Sequence, residues 1–457
     1  MIKLNPTEEK IDLEVTSICG NKIDVVSIPK ETYNKSATKI SVGAFFDDHS
    51  LTELVIPDTI TEIQAFAFKG CKNLKEITIP HTVKDIDVGT FSECKSLQTV
   101  NLSKGIEALF NAAFQQCGSL REIEIPAGTS SIGYAVFNDC ENLEKITLPD
   151  TIRHIGESAF LNTSLYNNPN NWEDDVLYIN NCLIKAKPSI NGFYKVREGT
   201  VCIADGAFGE CENLKGVSIP SSVKTIGKVC FSFCTSLKKT ILHDELEYIG
   251  DGAFFECKEL RKIRLPKGLL TISKGLFCNC EALTNIAIPE TVKWIKDYAF
   301  AFSGIKSITF PKGLETIGEH AFEDCANLME FKIPNIKFIG AKILNNCKLN
   351  RLEINTPSID LNFLGASTKH LVLGDNIECI GQGMFSEENE LESVTFTSVK
   401  LIQDNAFSFC GNLKELNNLP KDTKIERRAF SGCFFLMYYN KEHNLTSSHK
   451  ESFLMFA

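Results

Sequence analysis

Cysteine is the residue type in this chain with the widest chemical reach, and there are eighteen of them in 457 residues. Thiolates attack electrophiles, bind zinc and pair as disulfides. Their spacing argues for another use. Cys71, Cys94, Cys117 and Cys140 stand 23 residues apart, as do Cys211, Cys234, Cys257 and Cys280, and each follows a phenylalanine by three residues. Thr163, Ser303 and Ala366 occupy the same slot. The slot therefore accepts any small side chain, and its thiols read as small buried hydrophobes. No CxxC occurs. The close pairs Cys230 with Cys234 and Cys278 with Cys280 each join one periodic cysteine to a neighbour, which does not assemble four convergent zinc ligands. We expect no metal and no cofactor. So many unpaired thiols fit a reducing compartment more easily than an oxidising one.

The remaining reactive types are equally dispersed. Eight histidines are scattered without an HExxH pattern, and GxSxG, GxxxxGK[ST] and GxGxxG are absent from the sequence. Acidic residues recur just before the periodic cysteines (Glu93, Asp139, Glu210, Glu256, Asp324), a register that marks one repeated solvated bend rather than a paired-carboxylate site. The chain is therefore expected not to be an enzyme.

The elements behind this register are short coils. Phe45, Phe68, Phe91, Phe114, Phe137 and Phe160 keep a 23-residue interval, Phe208 to Phe300 repeat it, and Phe322, Leu344, Phe363, Phe385, Phe407 and Phe430 continue with spacings of 19 to 23. A leucine follows most of these six residues later, and a proline closes the run, as at Pro57, Pro80 and Pro266. In LRKIRLP, Ile263 and Leu265 alternate with Lys262 and Arg264, the period of a half-buried strand that proline then ends. A second apolar pair such as Val223 and Ile226 precedes each next phenylalanine. One coil cannot bury its own phenylalanine and leucine, so about seventeen coils must stack and share a core.

The segments AFKGCKNLKEITIPHTVKDIDVGTF and AFGECENLKGVSIPSSVKTIGKVCF resemble the BspA-like leucine-rich repeat family over nearly the whole chain. The resemblance implies a β-dominated, right-handed leucine-rich-repeat solenoid of about 23 residues per coil, one elongated domain with a parallel sheet on one face. It also implies a recognition role, often as a surface or secreted adhesin for host or neighbouring-cell proteins, and it supplies no catalytic residues.

Function in such a stack belongs to the outward sheet positions, which folding leaves free. These carry Glu53, Glu76, Glu122 and Glu124 early, then Lys145, Lys239, Lys262 and Arg264, flanked by a basic stripe that includes Lys215, Lys238 and Arg261. Two readings fit: alternating charge that keeps the sheet soluble, or a face that prefers an acidic protein. A net charge of −10 disfavours nucleic acid as partner. No stretch reaches membrane-span length and no apolar leader is visible at the start, so the surface assignment from the family stands against a cytoplasmic alternative in which the chain is an intracellular scaffold.

The repeat is interrupted at 161–207, where Val176–Ile179 and Cys182–Lys185 flank Asn180 and Asn181 and predict a β-hairpin, with a third strand near Tyr194. Trp172, Tyr178, Asp174 and Asp175 are its candidate contact residues. The hairpin is expected to be a variant coil, a binding tip or, remotely, an active site. The expected organisation is an N-terminal cap (1–22), solenoid (23–160), insertion (161–207), solenoid (208–439) and C-terminal cap (440–457), favouring a monomer.

Overall fold

The computed structural model describes residues 38–357, 364–434 and 436 in full, and the backbone of 2–6, 13–18, 25–27, 31–32 and 35–37. Phe363, Cys19 and the expected cap at 440–457 lie outside the described residues. The chain divides into two compact units, Met1–Ile190 with Val196–Cys211 and Pro220–Phe231, and Asn191–Lys195 with Glu212–Ile219 and Ser232–Ala457. Each is a β-solenoid.

In the first unit the 23-residue period becomes strand register. Glu76–Thr78 pairs in parallel with Glu53–Val55 on one side and Thr99–Asn101 on the other, so Leu54, Ile77 and Val100 line up inward while Glu53, Glu76 and Thr99 line up outward. A two-residue strand follows each turn at proline, and Asp85–Ile86, Ala108–Leu109, Ser131–Ile132 and His154–Ile155 form a second parallel ladder. Each coil then bends around its phenylalanine. The rings of Phe45 through Phe160 stack with centroids 4.9 to 5.7 Å apart, all of them buried.

The bend has its own hydrogen-bond ladder. Gly89 and Glu93, two residues before and after Phe91, take φ of 58° and 63°, as Ala112 and Gln116 do around Phe114. Left-handed residues flanking a right-handed one aim alternate N–H groups along the stack, so Gly89, Phe91 and Glu93 donate to Asn111, Ala113 and Gln115 at 2.8–2.9 Å. The residue before each periodic cysteine must therefore accept positive φ. Asn and Asp do so best after glycine, which explains the recurrence of Asp47, Asp139, Asn162, Asn279 and Asp324 at that slot.

The periodic cysteines do more than fill space. The Sγ of Cys94 donates to the carbonyl of Phe68 at 3.2 Å, Cys117 to Phe91 at 3.2 Å and Cys140 to Phe114 at 3.0 Å. The same carbonyl already accepts the N–H of its own coil's cysteine, as Phe68 does from Cys71 at 3.2 Å. Each thiol thus stitches its coil to the preceding one, a role a purely apolar reading omits. In the second unit Cys325, Cys347 and Cys433 repeat the bond at 3.0–3.1 Å, and Phe254 to Phe322 and Phe385 to Phe430 continue the ring stack.

The insertion is a modified coil. Val176–Ile179 pairs antiparallel with Cys182–Ala186 across a turn in which Asn180 has φ 48°. Val176, Leu177, Ile179, Cys182 and Leu183 are buried, and Cys182–Leu183 pairs in parallel with Cys202–Ile203, so the hairpin belongs to a sheet separate from the second ladder. The third strand is Gly192–Lys195, paired with Leu214–Ser218 in the second unit. At the start of the chain Leu13–Ile18 pairs with Ile2–Pro6 and with Lys35–Ile40, and the last of these joins Glu62–Ile63. In the second unit the sheet that ends at Lys262–Ile263 is separated from the one starting at Glu330–Ile333. The extended segments 285–288 and 307–310 between them make no ladder bonds among the described residues.

Candidate protein-recognition face

Outward side chains on a parallel ladder stand in columns one strand spacing apart, about 4.8 Å. In the second unit the pairing places Phe193, Gly216, Lys239 and Lys262 in one column, and Ser218, Ile241 and Arg264 in the next. Lys215, Lys238 and Arg261 form a third beside them, their coils joined by Lys238 N–H to Lys215 O at 3.0 Å and Arg261 N–H to Lys238 O at 3.2 Å. Six of the expected basic residues therefore lie on one surface.

Their electrostatics differ. Arg264 donates to both carboxylate oxygens of Asp244 at 2.6 Å, and this bond, with the N–H of Lys267, holds the Asp244 carboxyl below its usual range. Arg261 meets Glu259 at 3.4 Å. Lys215, Lys238, Lys239 and Lys262 have no carboxylate within ion-pair distance among the described residues. Lys239 and Lys262 are direct neighbours in register, an arrangement of like charges that costs energy and that the fold does not require. Lys145 stands apart from this group: it lies in the first unit and pairs with Glu122 at 3.5 Å.

The insertion residues are occupied internally. Trp172 is half-buried, its Nε1 donates to Tyr166 O at 2.8 Å, its ring meets Tyr166 edge to face, and Lys187 Nζ lies 5.2 Å from it. Tyr178 carries the Arg197 guanidinium 4.3 Å over its ring and accepts the Arg197 N–H at 3.2 Å. Asp175 is ion-paired with Lys187 at 3.0 Å, which holds its carboxyl below the usual range. Asp174 is exposed at φ 47°, on the turn.

Two further features escaped sequence reasoning. The first is apolar: Phe193 is 53% exposed and Ile241 50%, both outward among the lysines. Phe193 lies over Gly216, where a Cβ would stand 2.6 Å from a ring carbon, so glycine there is the seat of the ring, and Lys239 Nζ is 6.0 Å from its centroid. The signal for Phe193 was the NGFYKV stretch, whose outward residue is decided only by register. The second is polar: Ser131 Oγ meets His154 Nδ1 at 3.1 Å and His154 Nε2 meets Asp205 Oδ2 at 3.1 Å. The order resembles a nucleophile, base and orienting acid. Acyl transfer also needs N–H donors aimed at an oxyanion. The neighbouring N–H groups of Gly133, Arg153, His154 and Gly156 are already given to Leu109, Ser130, Ser130 and Ile132. The trio acts as a strut tying the coils of Ser131 and His154 to Asp205 at the end of the insertion.

Several buried cysteines provide little nucleophilic capacity. Burial, with the Asp48 carboxylate adding to it, pushes Cys71 up to about 12, and burial likewise raises Cys202 and Cys347 to about 12 and Cys325 to about 11. Such thiols stay protonated, as their donor role demands. All the described cysteines are free thiols, and Cys379 is the exposed one.

Residues 38–167, 193–305, 294–362 and 358–456 match the family profile described as BspA type leucine rich repeat region, six copies. No curated protein matches the chain. Among solved structures it is similar to a leucine-rich repeat protein from Bacteroides ovatus at 24% identity and TM-score 0.34, covering 95% of this chain and 91% of that one. A leucine rich cell surface protein from Faecalibacterium prausnitzii matches at 25% identity and TM-score 0.32, covering 71% and 90%. The T. pallidum leucine rich repeat protein matches at 20% and 0.28, covering 57% and 87%.

Proposed function

Because the chain belongs to the BspA-type leucine-rich repeat family, we propose that it is a recognition solenoid that holds a partner protein against the sheet face of its second unit. The partner presents an acidic surface. The observation that carries this reading is the set of four lysines, Lys215, Lys238, Lys239 and Lys262, gathered on one face without carboxylate partners among the described residues. Association with an anionic surface relieves their mutual repulsion and steers encounter. The family favours display at the cell surface, as an adhesin-type protein for a host or neighbouring cell, with one copy of the chain sufficient for binding.

Reversing Lys238, Arg261, Lys262 and Arg264 to glutamate tests the face. These side chains are exposed, so melting should stay within a few degrees while capture of the partner is lost. Equal capture by the reversed protein removes the face from consideration. A second reading, an intracellular scaffold, is favoured by one observation: every described cysteine is a free thiol in a stack that brings neighbouring coils close. Protease shaving of intact source cells separates the two. Release of peptides from residues 161–207 while cytosolic markers stay protected supports display, and protection until lysis supports the scaffold.

A further inference from the structure

The basic face is not uniformly polar, and its apolar part narrows the kind of partner. Phe193 is held over Gly216 in a fixed position and still leaves half its surface in water. An open groove of about 830 Å3 begins two strands further along, its lining including Lys239, Ile241, Lys262, Ile288 and Phe310. Its floor contains the segments 285–288 and 307–310, whose backbone N–H and C=O groups are not spent on a ladder among the described residues. Exposed aromatic and aliphatic side chains beside unpaired cations are the composition of an interface centre and not of a solvated sheet.

We infer that this strip, from Phe193 to the 307–310 segment, seats an extended acidic segment of the partner that carries large apolar side chains at its ends. The inference rests on the reading of the sheet face as a recognition surface, and it deepens that reading by naming the ligand's chemistry. Carboxylates meet Lys239 and Lys262, one apolar side chain packs on Phe193, and another enters the far end of the groove beside Phe310. Length follows from geometry: five strand spacings span about 24 Å, which an extended chain covers in about seven residues. The occupant is not a backbone strand added within the sheet. The ring stack beneath the groove is spaced at 5.8 and 5.6 Å for Phe254–Phe277 and Phe277–Phe300, and an inserted strand would need about 4.8 Å more. The segment therefore crosses the strands on the outer surface.

The test uses the whole chain and a fluorescent probe peptide of about seven residues, with glutamates between a terminal leucine and a terminal phenylalanine. Anisotropy should show binding that weakens at least tenfold between about 50 mM and 0.5 M salt. Phe193→Ala should weaken it about tenfold or more, and the Lys239→Glu, Lys262→Glu pair should abolish it, with melting unchanged in both variants. An all-glutamate peptide of equal charge should bind at least tenfold more weakly than the probe. If Phe193→Ala binds as the parent does, or if the all-glutamate peptide or heparin binds as well as the probe, the strip is a general polyanion surface and the inference is overturned. Absence of probe binding at any salt overturns it as well. The broader reading fails separately, through unchanged partner capture by the four-residue charge reversal; loss of capture there with full retention in Phe193→Ala keeps the face and discards the segment.

Discussion

Replacing Phe114 by alanine isolates what one rung of the ring stack contributes. Phe114 is fully buried between Phe91 at 5.4 Å and Phe137 at 5.7 Å, nearly parallel to both. Truncation of a buried phenylalanine costs about 3–5 kcal/mol through lost transfer energy and the cavity left behind. Each lost stacking contact removes about 0.5–1.5 kcal/mol beyond area burial, which places the result toward the upper end of that range. In a stack of nearest-neighbour coils the loss should stay local. The adjacent amides report it directly, because Phe91 N–H bonds Ala113 O at 2.8 Å and the N–H at 114 bonds Val136 O at 3.0 Å. Their native-state exchange should accelerate about a thousandfold, at 1.4 kcal/mol per decade, while amides in Phe385–Phe430 keep their rates. Protection unchanged within about threefold at positions 91 and 114 would refute a core built on the ring stack.

Alkaline pH provides a second prediction. Cys71, Cys202 and Cys347 are raised from 9.0 to about 12 by burial, so in the folded chain they keep protons that the unfolded chain releases above pH 9. Stability should be flat below that point, fall as pH rises from about 9 to 12, and lose about 1.4 kcal/mol per thiol at about pH 10. A melting temperature constant from neutrality to pH 10 contradicts it. Among the described cysteines, Cys379 should be alkylated first in the native protein, with the others modified only on unfolding; comparable early labelling of Cys71 or Cys117 would be inconsistent with their burial. Cys117→Ala should be more destabilising than Cys117→Ser by about 0.5–1.5 kcal/mol in urea unfolding, because serine can still donate to Phe91 O; equal loss denies the thiol a bonding role.

The period, the strand faces and the hairpin were legible because each is written in side-chain type at fixed spacing. Pro80, Ile77 and Ile79 announce their strand, and Asn180 and Asn181 announce the turn that the structure places between Val176–Ile179 and Cys182–Ala186. The bend ladder was not legible, since it depends on φ at Gly89 and Glu93, and the residue types at those slots range from glycine to phenylalanine at Phe66 and Phe233. The thiol bonds were hidden for a related reason: a buried cysteine looks the same in sequence whether or not a carbonyl of the coil before it lies within reach. At the candidate face the basic residues were visible as a stripe. What register alone reveals is that Lys239 and Lys262 are neighbours, that Arg264 is taken by Asp244, and that Phe193 rests on Gly216. Also invisible in sequence is that Trp172 packs against Tyr166 and Lys187, and Tyr178 against Arg197.

If the partner sits on the outward face of the second unit, amine footprinting of the complex will locate it there. The chain is acetylated free and with its partner bound, and each lysine is read by mass spectrometry. Lys215, Lys238, Lys239 and Lys262 should be protected in the complex, with Lys84, Lys145 and Lys400 labelled equally in both states. Full labelling of the four sheet lysines in the complex, with protection elsewhere, would contradict it.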